Sequence, residues 1–171
     1  MANSLFKPFN MEDGIFLNNY VLHKSSFKDF WKWRKESNKP QPISFPVVKN
    51  NPSYLKSNKS EKTITWVGHS TFLIQIDGIN ILTDPHFSKR ASPLSFMGPS
   101  RTTPPGLNMD DLPFIDLVLI SHNHYDHLDA QTIKLLLKKQ NINQPTFFVP
   151  LKLKETISKL GASNVIEHGW W

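Results

Sequence analysis

Cysteine is absent from the 171 residues, which removes a disulfide scaffold, a thiolate metal site and a cysteine nucleophile together. No run reaches the ~18–20 apolar residues that a membrane-spanning helix needs. Residues 1–10 carry one charge, Lys7, and no apolar run of signal-peptide length, so the expectation is a soluble, unexported protein of the cytoplasm. A GxSxG sequence is missing as well, so nothing points to a serine nucleophile. Internal repeats and low-complexity tracts are also lacking.

What is present suits one domain. The chain is 39% hydrophobic and 20% charged, enough to build a core and too apolar for a disordered segment. The charge is unevenly placed: eleven of the 20 Lys and Arg, against five of the 14 acidic residues, fall in residues 1–62, which therefore carry the whole net +6. A basic segment suits an anionic membrane surface or nucleic acid, although a Lys-rich solvated face is the simpler reading.

Residues 1–60 read as a basic, Pro-rich arm. A short helix is expected from Ser25 or Ser26, with Phe27, Phe30 and Trp31 at helical spacing and an end at Asn38-Lys39-Pro40. Residues 40–60 hold four prolines among Asn, Ser and Lys and read as an irregular linker. The character changes at Glu61. Thr63 to Val67 and Ser70 to Ile76 read as strands, and Asp77-Gly78 is a hairpin turn into Ile79 to Asp84. Residues 85–113 form a long loop with six prolines, expected to be ordered as a pocket wall through its Phe and Leu content. Ile115 to Ser121 resembles a fully buried strand. Asp129 can cap a helix with Ile133, Leu136 and Leu137 on one face. A strand at Thr146 to Val149, a helix at Leu153 to Leu160 stopped by Gly161, and a strand from Val165 follow. Strands first, then strand–helix alternation, predict a layered α/β fold.

The chemistry concentrates in Ser121 to Asp129, SHNHYDHLD, where three of the seven His and one Asp fall within six positions. Imidazole and carboxylate are good ligands for zinc and similar divalent ions. His122 and His124 lie two apart at a strand end, where extended backbone points both to one side. Asp126 and His127 follow where the chain turns. One loop can thus offer two ligands to one ion and two to a neighbour ~3.5–4 Å away, the two-metal arrangement used on phosphoesters.

The loop and its surroundings resemble the metallo-β-lactamase fold superfamily, and within it the N-acylphosphatidylethanolamine-hydrolysing phospholipase D family. The resemblance rests on TWVGHSTFLIQIDG (65–78), ILTDPHFSKRASPLSFMGP (81–99), LPFIDLVLISHNHYDHLD (112–129), FFVPL (147–151), GASNVIE (161–167) and the terminal Trp pair. The family pattern has Leu-Asp where His168-Gly169 stands here. The resemblance implies an αββα sandwich of two similar halves, with residues 61–171 forming the first half: a mixed sheet with flanking helices. It implies two zinc ions, His122 and His124 holding one, Asp126 and His127 the other. Asp84 would orient the metal loop from behind, and Tyr125 would face the phospholipid. The implied reaction is phosphodiester hydrolysis by metal-bound hydroxide, acting on an N-acyl phospholipid and releasing an N-acylethanolamine and phosphatidic acid.

The same resemblance implies further ligands, a His, a bridging Asp and a final His, from the second half. After His127 only His168 and Asp129 remain of those types. Asp129 is better placed as a helix cap, and His168 lies on a strand two elements away. The chain is therefore expected to be truncated and inactive alone, with an apolar sheet face left open for a homodimer partner or a separately encoded C-terminal half. The alternatives are a non-catalytic split-gene remnant, or another hydrolase of the superfamily such as a nuclease or lactonase. Nucleic acid is not the favoured partner, since the arm shows no base-reading motif. An N-acyl phospholipid or a membrane surface is, with the protein cytoplasmic and peripheral at the membrane. His69 is read as a structural histidine, and His86 and His23 as surface or loop residues.

Overall fold

The alternating residues between Thr63 and Thr83 fold into three antiparallel strands: β3 (Thr63–Gly68), β4 (Thr71–Ile76) and β5 (Ile79–Thr83). They follow a small hairpin, β1 (Met11–Glu12) with β2 (Ile15–Phe16), and two helices, α1 (Phe27–Glu36) and α2 (Pro52–Ser57). The computed structural model describes residues 11–12, 15–16, 26–37, 46, 48, 50–94 and 96–169. The chain divides into two units, residues 1–44 with 169–171 and residues 45–168.

In the first unit, Ser26 caps α1 reciprocally with Asp29: each side chain bonds the other's backbone N–H. The helix buries none of its residues. The expected stop at Asn38 to Pro40 lies outside the described residues, as do His23 and the Trp pair.

In the second unit the sheet continues from β5 through β6 (Leu117–Leu119), β7 (Thr146–Pro150) and β8 (Val165–His168), in the order β3-β4-β5-β6-β7-β8. The first three strands pair antiparallel and the last three join in parallel. Parallel neighbours need a crossover: the long segment 84–116 supplies the one from β5 to β6, and α3 (Ala130–Lys139) and α4 (Lys154–Lys159) supply those to β7 and β8. Asp77 and Gly78 both have positive φ, 50° and 80°, as a tight two-residue hairpin turn requires.

One sheet face builds the core. Leu73, Leu82, Val118, Phe147 and Val149 point into it and meet Ile133, Leu136 and Leu137 of α3 and Ile157 of α4. Gln75 and Asn80 share this face with their amides satisfied: Gln75 Nε2 donates to Leu55 O at 2.7 Å and to Asn80 Oδ1 at 2.8 Å.

The other face is apolar and open. In register across it lie Ile64 and Ile74, Trp66 and Phe72, Ile74 and Ile81, Ile76 and Ile79, Leu119 and Phe148, and Phe148 and Ile166. Ile64 is 72% accessible and Trp66 52%. An apolar sheet face with residues this accessible ordinarily packs against a further layer.

Two elements differ from the sequence expectation. The stretch 40–60, read as irregular, contains α2. Asn51 caps it and Pro52 starts it, positions where Asn and Pro favour a helix, and burial of Leu55 holds it down. The strand expected over Ile115 to Ser121 shrinks to Leu117–Leu119. The Gln140 side chain takes both backbone groups of Ile115, accepting from its N–H at 2.9 Å and donating to its carbonyl at 2.8 Å. Ser121 N is taken by Asp84 at the other end.

Candidate metal centre

The site lies where β3, β5 and β6 end. The turn from β3 to β4 carries His69 after Gly68, and β5 breaks at Asp84. The loop after β6 carries His122, His124, Asp126 and His127. Two of the four described non-glycine residues with positive φ are here, His69 at 52° and Asp84 at 35°. Such conformations cost on the order of 1–3 kcal/mol and persist only where surrounding contacts hold them. Trp66 Nε1 donates to His69 O at 2.9 Å, and Thr71 Oγ1 donates to Asp84 O at 2.7 Å.

Asp84 is 6% accessible and ties the loop at both ends. Its Oδ1 accepts from Ser121 N at 2.7 Å, and its Oδ2 accepts from Ser121 Oγ at 2.7 Å and lies 2.8 Å from His127 Nδ1. With Nδ1 held by the carboxylate, His127 Nε2 is left to face the cluster. The loop then turns over on itself, with His127 N and Leu128 N both bonded to His124 O. Asp129 ends it as the α3 cap, accepting from the backbones of Gln131 and Thr132 and from Ser88 N of the opposite loop.

The side chains fall into two groups. His122 Nε2 lies 3.0 Å from His124 Nδ1. Asp126 Oδ2 lies 2.9 Å from His69 Nε2 and 3.7 Å from His127 Nε2, and one ligand atom from each of His69, Asp126 and His127 falls within 4.8 Å of the others. His122 and His127 join the groups, with ring centroids 4.0 Å apart. Imidazoles at such separations repel once protonated, and an ion between them relieves the crowding, so the donor set fits divalent metal ions. Burial, together with His127 and His124, holds the His122 pKa below its usual value, which favours the neutral form a metal requires. Burial pushes the Asp126 carboxyl up, but a backbone N–H, His127 and His69 outweigh it and leave its pKa lowered.

His69 is thus in the cluster, not a structural histidine apart from it. The sequence signal was its place after a strand-breaking glycine, too common a pattern to single it out. His86 is 5% accessible, so it is a loop residue but not a surface one. Its Nδ1 lies 3.0 Å from Arg101 Nη2. Since arginine only donates, Nδ1 accepts and Nε2 carries the proton. Tyr125 stands on the rim of the loop, 54% accessible. His168 stacks on Phe148 on the open sheet face, ring centroids 5.4 Å apart, two strands from β6.

A cavity of about 660 Å³ opens beside the cluster, and His69 and Asp126 are in its wall. The long loop does form part of that wall, but with Ala91, Pro99 to Pro104 and Gly106. Its Phe96 and Leu94 are exposed.

The model of the beta-lactamase superfamily domain matches residues 63–168. An uncharacterized protein of Mycobacterium tuberculosis is 33% identical over 169 residues, which cover 94% of this chain and 44% of that protein. N-acyl-phosphatidylethanolamine-hydrolyzing phospholipase D 1 of Caenorhabditis elegans is 43% identical over 112 residues, 62% of this chain and 31% of that one. A possible metal-dependent hydrolase from Veillonella parvula has the same fold, with a TM-score of 0.50 at 24% identity over 63% of this chain and 42% of that one. The chain spans less than half the length of these relatives. A mixed sheet carrying a His–Asp cluster at its strand ends, matched over residues 63–168, places this chain in the metallo-β-lactamase superfamily, where it is similar to the N-acylphosphatidylethanolamine-hydrolysing phospholipases D.

Proposed function

We propose that this chain is the metal-holding layer of a metal-dependent hydrolase that cleaves the phosphodiester of N-acyl phospholipids, and that it needs a second sheet layer for turnover. The carrying observation is that His69, His122, His124, Asp126 and His127, from two separate loops, face one another across distances an ion could bridge. The similarity to the Caenorhabditis elegans phospholipase supports the substrate. Zinc ions held by His122 with His124, and by Asp126 with His127 and His69, would polarise the phosphoryl group and acidify water.

The chain's own residues do the positioning. Asp84 fixes the His127 ring and the start of the loop. Asp126 stays ionised in the working pH range because its neighbours outweigh its burial. Tyr125, on the rim, faces the lipid. The α1 helix, with exposed Phe27, Phe30, Trp31 and Trp33 beside Lys28, Lys32, Arg34 and Lys35, is the segment proposed to rest on an anionic membrane. The open sheet face from β4 to β8 is proposed to stack on that of a second copy, leaving the β3 edge to the cavity. It carries a patchwork of Ile, Phe and Leu in register, and no Lys, Arg, Asp or Glu side chain points from its strands, so two such faces complement each other ~10 Å apart.

The test measures zinc bound at equilibrium by residues 1–171, and N-acylethanolamine released from N-acylphosphatidylethanolamine. Zinc uptake that His124→Ala weakens, without turnover by the monomer, is expected. Turnover by the monomer that His124→Ala abolishes would overturn the need for a second layer. Zinc uptake indifferent to these residues would overturn the metal reading and favour a non-catalytic role.

A further inference from the structure

The 660 Å³ cavity contains one fixed positive charge, the guanidinium of Arg101. Its wall otherwise offers Pro46, Val48, Ile64, Trp66 and Pro104 as apolar surface. Arg101 is half-buried, and no carboxylate pairs with it among the described residues. Backbone and imidazole hold it in place. Nη2 donates to the His86 carbonyl and to His86 Nδ1, and Nε donates to Ser88 O at 3.4 Å. Nη1, with two N–H donors, has no hydrogen-bond partner among the described residues. It lies 3.0 Å from where a Cβ on Gly68 would stand. A Cβ there would press on Nη1, and Gly68 has φ 146°, a conformation that suits glycine.

A guanidinium that is partly desolvated, braced from behind and left with free donors is costly unless an anion completes it. Burial lowers its pKa, and the Asp129 carboxylate, which forms no ion pair with it, offsets only part of that. His86 lies between Arg101 and the cluster in contact terms: Arg101 Nη2 is 3.0 Å from His86 Nδ1, and the His69 and His86 rings meet edge-on at 6.4 Å between centroids. The cation therefore shares the cavity wall with His69 and Asp126 and is joined to His69 through one side chain, His86.

We propose that Arg101 is an anion subsite, separate from the metal ligands, that binds a phosphate oxyanion of an amphiphile whose alkyl chain lies against Ile64, Trp66 and Pro104. It rests on the hydrolase reading only in making that amphiphile the substrate or product. A phosphate group of a lipid and free phosphate share the oxyanion, so the alkyl chain is what separates them.

Calorimetric titration of the full chain in excess chelator tests this, with monooctyl phosphate, inorganic phosphate and 1-octanol as probes. Octyl phosphate is expected to bind roughly ten- to a hundredfold more tightly than octanol, the range for a hydrogen bond to a charged group. Arg101→Gln is expected to erase that preference and leave octanol binding unchanged, which a merely structural arginine would not do. A preference that survives in Arg101→Gln, or none in the wild type, overturns the proposal. Inorganic phosphate binding as tightly as octyl phosphate overturns the amphiphile. If Arg101→Gln does not fold, Arg101→Lys replaces it: it keeps the charge but loses the fork, and undiminished octyl phosphate binding overturns the subsite. The chelator keeps the cluster metal-free, so failure of the hydrolase reading would leave these outcomes untouched.

Discussion

Asp84 Oδ2 lies 2.8 Å from His127 Nδ1, a contact that closes 43 residues of chain and sets which nitrogen of His127 faces the metal cluster. The same carboxylate holds Ser121 through backbone and hydroxyl. A ligand whose ring is held this way needs no reorganisation to bind an ion. Asp84→Asn keeps the size and tolerates positive φ, yet loses the charge that orients the ring. Zinc affinity, read by competition with a chromophoric chelator, is expected to fall roughly ten- to a hundredfold. An unchanged affinity would show that Asp84 holds the loop without tuning its ligand.

His69 meets Asp126 at 2.9 Å, so His69→Ala should weaken zinc binding while His168→Ala, two strands away on the open face, should not. Equal effects from the two variants would remove His69 from the ligand set. Retained folding is checked by far-ultraviolet circular dichroism.

Acid should destabilise the chain in two separate windows. The His86 pKa is held below 6.5, by burial first and Arg101 second. The unfolded chain therefore binds its proton more readily, and stability is lost as pH falls below about 6.5. Burial raises the Asp129 carboxyl, but bonds from Thr132 and Ser88 outweigh it and leave its pKa lowered. Its contribution is present above the unfolded value of 3.8 and is lost as pH falls through the lower folded value. Thermal melts of His86→Gln between pH 7 and 5 should be flatter than those of wild type. A wild-type Tm independent of pH over that range would contradict the assignment.

Asp129→Ala should cost about 1–2 kcal/mol in urea unfolding, the range for a lost N-cap. The loss should exceed that for Asp29→Ala in the exposed α1, because Asp129 also anchors Ser88 of the opposite loop. A smaller loss would mean that the cross-loop contact carries no stability.

The two sheet faces should answer oppositely to substitution. Leu73→Ala, on the buried face, should cost ~2–5 kcal/mol. Ile74→Lys, one residue on but facing outward between Ile64 and Ile81, should leave the fold and abolish self-association, measured by light scattering across a concentration series. A wild-type chain that is monomeric at every concentration would refute pairing of the open faces.

The elements read correctly from sequence were those with local causes. Asp77-Gly78 demanded positive φ, Asp129 capped a periodic apolar face, and Gly161 stopped α4 with φ 109°. The readings that missed depended on partners far along the chain. Gln140 shortened β6 by occupying Ile115, Leu55 drew a Pro- and Asn-rich stretch into the core as α2, and Arg101 lined the cavity with His86 buried behind it. The cluster followed the same division. His122, His124, Asp126 and His127 announced themselves by spacing, whereas His69 and Asp84 did not.

The sequence by itself determined the family, the hairpin, the helix after the metal loop and the crowding of donors in SHNHYDHLD, because each rests on neighbours a few residues apart. Only the tertiary structure decided that His69 joins that loop, that Arg101 lines the adjoining cavity with no ion-pair partner among the described residues, and that Gln140 takes both backbone groups of Ile115. Those facts depend on which strand ends and loops meet in space, and a linear pattern of residue types does not carry that information.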